Sequence, residues 1–319
     1  MATISSAFTQ RLTRPAPNVD YRSSAGRRTV GIWLGVIGLL LATITLIANL
    51  AAAGTVDTPG GAATLAWSFG LTTTAFATLK VGIAVVLMGI LVRLWLRVDS
   101  VKTSLPRLRA EARDDAAIEH GTVRTAFGRA TVTAGQPKPL FIHRMAQTLW
   151  APMLAMGAMA VAVGLIISFF WSGAVGSGEP ATAAAAWTQG LQFLGEGILL
   201  SGISFLLGSI LAGLRAGGGE VQASLNLPVT TLRMPTSAKL FVVLMMTGMM
   251  VSIAQFVVYL WVATQSNVVQ VAANFAWLGP FRELGLGLLL SGIVLALATI
   301  AKVLGFQFWR IRTIIDTGN

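Results

Sequence analysis

The chain contains no cysteine and only two histidines, His120 and His143. Disulfides, thiolate nucleophiles and cysteine-held clusters are therefore excluded. A haem or a catalytic zinc between helices needs ligands at membrane depth, and neither histidine lies within an apolar run. Charge is also scarce. Asp, Glu, Lys and Arg make up 11% of residues against 55% hydrophobic, and mean hydropathy is +0.74. A soluble domain of 319 residues does not carry this balance. A phosphate loop is missing too, because Gly217-Gly218-Gly219 lacks the following Lys and Ser or Thr. That triplet reads as a helix stop and turn. No cofactor is expected beyond bound lipid.

What is present is apolar length. Six runs stand out, about 30–52, 71–96, 148–171, 189–213, 240–263 and 282–304. Crossing a hydrocarbon core of about 30 Å takes about 20 residues of helix, so each run qualifies. None alternates as the wall of a membrane barrel must. The expected fold is all-α, a polytopic integral membrane protein of six transmembrane helices. The first run begins at residue 30 and is too long for a signal-peptide core, so it should remain as helix 1.

Orientation follows from the basic residues. The connections between helices 1–2, 3–4 and 5–6 hold no Lys or Arg, whereas the 97–147 segment holds nine. Arg11, Arg14, Arg22, Arg27 and Arg28 precede helix 1, and Arg215, Arg233 and Lys239 lie in the 214–239 linker. Positive loops favour the cytoplasmic side, which places both termini there and suits a bacterial inner membrane. The net charge of +11 is then mostly insertion bias and contact with anionic inner-face lipids, and no nucleic acid is expected.

The helices pair into repeats. Trp67, Trp187 and Trp277 are each followed, 15 residues later, by Gly82, Gly202 and Gly292. The two later copies also share Leu-Leu-Ser-Gly-Ile, at 199–203 and 289–293. The expected plan is a basic N-terminal segment (1–29) and then hairpin 1 (30–97). A basic loop (98–147) leads to hairpin 2 (148–213), a linker (214–239) to hairpin 3 (240–304), and a tail (305–319) follows. Repeated units that bury faces on their neighbours suggest hairpins around a pseudo-threefold axis or in a row. Segment 98–119 reads as an inserted amphipathic helix or surface arm. The motif at 121–126 reads as a weak echo of 219–224, and Met156 and Met159 as counterparts of Met246 and Met249. All nine tryptophans fall at span ends: Trp33, Trp95, Trp150 and Trp309 inside, Trp67, Trp171, Trp187, Trp261 and Trp277 outside. They are expected to anchor at the headgroup level.

Candidate chemistry is confined to intramembrane charge. Lys80 lies 13 residues past Trp67, Glu196 nine past Trp187, and Arg282 and Glu283 five and six past Trp277. Charges at such depth face protein, water or a partner charge. Lys80 and Glu196 are expected to pair, with Gln192, Gln255 and Asn49 as further polar neighbours. Ser201 and Ser291 have no histidine partner and fit helix crossings. The methionines of helices 3 and 5 suit packing better than Cu(I), and Pro280 sits at an expected helix start, where it is benign. Two functions follow. The first is a non-catalytic subunit or scaffold of a membrane complex, with other membrane subunits as partners; a homo-oligomer of further copies of itself suits the second. The second is a transporter or channel with a polar path near Lys80 and Glu196.

Overall fold

A computed structural model describes residues 22–55, 57–104, 121–125, 127–133, 135, 139–178, 180–224 and 227–317. Six helices form the body: α1 (Arg22–Ala53), α2 (Pro59–Ser104), α3 (Phe141–Ser177), α4 (Thr182–Ser224), α5 (Thr236–Val262) and α6 (Val268–Thr317). All six are long and apolar enough to cross a membrane, as a multi-pass membrane protein requires.

Helix α4 is the centre. In its most apolar stretch 78% of residues are buried, against 17–33% for the other five helices. It packs on α2, α3, α5 and α6, while α1 packs on α2. The hairpins α1–α2, α3–α4 and α5–α6 thus lie side by side with α4 between the outer two. A large apolar cluster fills the basic end, around Leu206, Phe241, Met245 and Phe306. A smaller one, around Phe193, Tyr259 and Leu278, fills the other end.

Within each hairpin one close approach recurs. A Cβ on Gly38 would lie 2.8 Å from Leu79 Cγ and 2.9 Å from the Ala75 carbonyl. On Gly157 it would meet Leu199 Cγ at 2.8 Å and the Gly195 carbonyl at 2.9 Å, and on Gly248 Leu289 Cγ at 2.7 Å and the Gly285 carbonyl at 3.0 Å. Without a hydrophobic driving force in lipid, such backbone approach is what holds two helices together. Gly82, Gly202 and Gly292 each pack back on the first helix of their own hairpin, against Leu34, Leu154 and Phe241. In this packing Gly157 plays the part of Gly248, which shifts the first helices one residue from the Met156–Met246 alignment.

Several expectations are corrected. Helix α4 runs through Gly217-Gly218-Gly219 to Ser224 instead of stopping. Tertiary packing outweighs propensity here, because the bare backbone at Gly218 lets Gln307 and Arg310 of α6 lie against it. Pro280 is interior to α6, and Pro152 is interior to α3. The echo of 121–126 in 219–224 is not structural, since 121–125 is a strand and 219–224 ends α4. The start of the 98–119 segment simply continues α2 to Ser104. The rest of that segment, His120 and the tail up to residue 21 lie outside the described residues.

A three-stranded antiparallel sheet was not expected. Strands β1 (Gly121–Thr125), β2 (Gly128–Thr133) and β3 (Val229–Leu232) join in the order β1-β2-β3. The Thr- and Val-rich runs suit a pleated surface, and Gly128 closes the β1–β2 hairpin at φ 130°. Pairing of Ala130 with Leu232 ties the two basic connections into one platform at that end.

Candidate functional site

Three of the four candidate charges, Lys80, Glu196 and Arg282, meet. Lys80 Nζ lies 2.9 Å from Glu196 Oε1, and Arg282 Nη2 lies 2.9 Å from Glu196 Oε2. The three residues come from α2, α4 and α6, the second helix of each hairpin. Counted from the Trp of each helix, they stand 13, nine and five residues along. Successive positions therefore differ by about one turn, about 5.4 Å. Lys and Arg side chains are long enough to cover one turn each from opposite directions, so both cations converge on the carboxylate between them.

The carboxylate is dry. Glu196 is 1% exposed, while the side chains of Lys80 and Arg282 keep 17% and 22%. The Arg282 guanidinium also stacks 3.9 Å above the centre of the Phe193 ring. Its Nε has no hydrogen-bond partner among the described residues. Two cations against one anion leave the cluster with one excess positive charge. Glu283 does not join it and is exposed on α6.

The other polar candidates serve separate helix contacts. Gln192 Nε2 donates to the Gly70 carbonyl at 3.0 Å, linking α4 to α2. Gln255 Nε2 donates to the Leu278 carbonyl at 3.2 Å, beside the turn that Pro280 interrupts. Ser68 Oγ donates to Asn49 Oδ1 at 2.8 Å. Ser201 bonds its own helix, donating to the Gly197 carbonyl at 2.8 Å, and Ser291 is exposed. Met156, Met159, Met246 and Met250 are exposed rather than packed; a lipid-facing surface accepts them as readily as a core. No group of three His, Cys, Asp or Glu that could hold a metal occurs among the described residues.

Among the tryptophans, Trp33, Trp187, Trp261 and Trp277 are exposed and Trp67, Trp150, Trp171 and Trp309 partly so. The side chain of Trp95 lies outside the described residues. Trp171 meets Phe69 edge-on at 6.1 Å, and Trp277 Nε1 donates to Asn274 at 3.2 Å.

A second constellation lies at the basic end, where sequence reading placed nothing. A cavity of about 80 Å³ opens between α3, α4, α5 and α6, walled by Phe205, Phe241, Met245 and Phe306 with His143, Arg215 and Arg310 at its polar side. A second depression of about 160 Å³ adjoins it, formed by Thr131, Thr133, Thr231 and Arg233 of the sheet platform, and shares Arg215 and Leu232 with it. Arg310 is 2% exposed, donates to the Thr230 carbonyl and lies 4.7 Å over the Phe306 ring. Burial and, secondarily, the charge of Arg215 lower its guanidinium to about 10, so it stays protonated at neutral pH. In the sequence, Arg215 and Arg310 were indistinguishable from the basic residues that set orientation.

No known family, curated protein or solved structure matches this chain.

Proposed function

We propose that the chain is a non-catalytic integral-membrane subunit built from three repeated hairpins, with both termini on the basic, cytoplasmic side. One observation carries this reading: both oxygens of Glu196 are taken, one by Lys80 and one by Arg282. A carboxylate so occupied and so buried is a bolt between hairpins, since breaking a buried pair is costly while forming it adds specificity more than stability. Neither of the two cavities is lined by a residue of this cluster. The long apolar faces of α1, α5 and α6 offer surface to lipid and to other membrane subunits.

The excess positive charge of the cluster favours a second reading, an anion-conducting path past Lys80 and Arg282. Flux assays on the chain reconstituted alone in liposomes separate the two. The subunit reading expects anion and proton permeability equal to that of protein-free liposomes. Permeability that rises with protein content and vanishes in a Lys80→Met, Glu196→Gln, Arg282→Met triple variant would establish transport instead.

A further inference from the structure

The two adjoining cavities differ in chemistry in a way that a single amphiphile would satisfy. The first is walled by aromatic and aliphatic side chains, and no carboxylate lines either one. The second is lined by three threonines and two arginines, with Arg215 and Leu232 on the shared wall. Depth supports the division. Ser204, at the far end of the apolar part, is 17 residues past Trp187, and Arg215 is 28 past it. At about 1.5 Å per residue these lie about 26 and about 42 Å along the helix. A hydrocarbon core is about 30 Å thick, so the apolar cavity falls within one leaflet and Arg215 at its headgroup level.

Charge and access agree with this. Arg310 Nε is buried with no hydrogen-bond partner among the described residues. Burial first, and the repulsion between Arg215 and Arg310 second, lower the latter's affinity for its proton. An anion on Arg215, on the wall that the two cavities share, would screen that repulsion, and guanidinium groups bind phosphate oxygens with charge-assisted bonds. Helices α3 and α5 both line the cavity, yet they do not pack on each other as α3 packs on α4 and α5 on α6. An acyl chain can enter between them from the bilayer. At about 10–15 Å³ of such volume per water-sized group, a cavity of about 80 Å³ holds a short stretch of chain and not a whole lipid tail.

We infer that this is a specific site for one anionic glycerophospholipid, with part of an acyl chain in the apolar cavity and the phosphate at Arg215 and Arg233. Beyond packing subunits, the chain would then recognise the composition of the basic-side leaflet.

The test is native mass spectrometry of the full chain in mild detergent, with dioleoyl phosphatidylglycerol or dioleoyl phosphatidylcholine added. One phosphatidylglycerol should be retained, with about tenfold lower occupancy by phosphatidylcholine, the scale of one charge-assisted contact. Arg215→Gln should remove that preference, and Val242→Phe, which narrows the apolar cavity, should lower retention of the lipid itself. Should Arg215→Gln fail to fold, Arg233→Gln, at an exposed position just past β3, is read in the same way. Equal retention of the two lipids would overturn the inference. So would an intact preference in the arginine variant. Displacement of the lipid by millimolar inorganic phosphate, with no effect of Val242→Phe, would reassign the site to a free anion.

Discussion

Arg282 Nη2 reaches Glu196 Oε2 at 2.9 Å, on the opposite oxygen from Lys80, so the carboxylate has two cationic partners rather than one. This changes how the cluster should respond to substitution. Glu196→Gln strands two cations and should destabilise by about 3–5 kcal/mol, the usual cost of removing one member of a buried pair. Lys80→Met leaves Glu196 neutralised by Arg282 and should cost far less. Arg282→Met should behave like Lys80→Met, apart from the lost stacking on Phe193. Unfolding temperatures in detergent check the order. A Lys80→Met loss as large as that of Glu196→Gln would mean that Arg282 does not hold the carboxylate.

The glycine contacts are expected to be position-specific. Gly157→Ala brings a Cβ to 2.8 Å from the Leu199 amide nitrogen, and should cost about 1–3 kcal/mol as overpacking. Gly35→Ala, with nothing within 4 Å, should be neutral or add up to about 1 kcal/mol through helix propensity. Thermal melts of the two variants make the comparison. Equal effects would show that the hairpins do not close on these glycines.

Gly218 should be intolerant for a different reason. A larger residue there displaces Gln307 and Arg310, which donate to the Leu214 and Thr230 carbonyls. Hydrogen exchange in a Gly218→Val variant should therefore rise in β3 and the end of α6 while α1 and α2 keep wild-type protection. Unchanged exchange in β3 would mean that Arg310 does not secure the platform.

Topology can be read directly because the chain has no native cysteine. Single cysteines at Thr58 and Gly178, in the connections within the first two hairpins, and at Val268, the first residue of α6, should react with a membrane-impermeant maleimide added to intact cells. Labelling of any of them only after the cytoplasm is opened would reverse the orientation.

Rarity made part of this molecule legible in the sequence. Lys80 and Glu196 stood out because few charges lie in the apolar runs, and their depths invited pairing. Arg282 lies only five residues past Trp277, short of the depth of Glu196 when counted along the backbone, yet a guanidinium reaches a full turn from its Cα. The sheet went unseen although Thr122-Val123 and Ala130-Thr131-Val132-Thr133 flank a glycine turn. These short strands sat in a segment dominated by its basic charge. The glycine triplet misled in the opposite direction: its local preference for a turn is real, but α6 packs against it and keeps it helical. The apolar cavity at the basic end is not legible in the sequence, since its walls come from four helices and a strand far apart along the chain.

The most direct test of the account as a whole is the mass of the native assembly. The chain, affinity-purified from its own membranes in mild detergent, should appear in native mass spectra with a different membrane protein in fixed stoichiometry. That partner should survive the Lys80→Met variant, which leaves Glu196 paired. A chain that appears only as a monomer or as copies of itself would contradict the subunit reading.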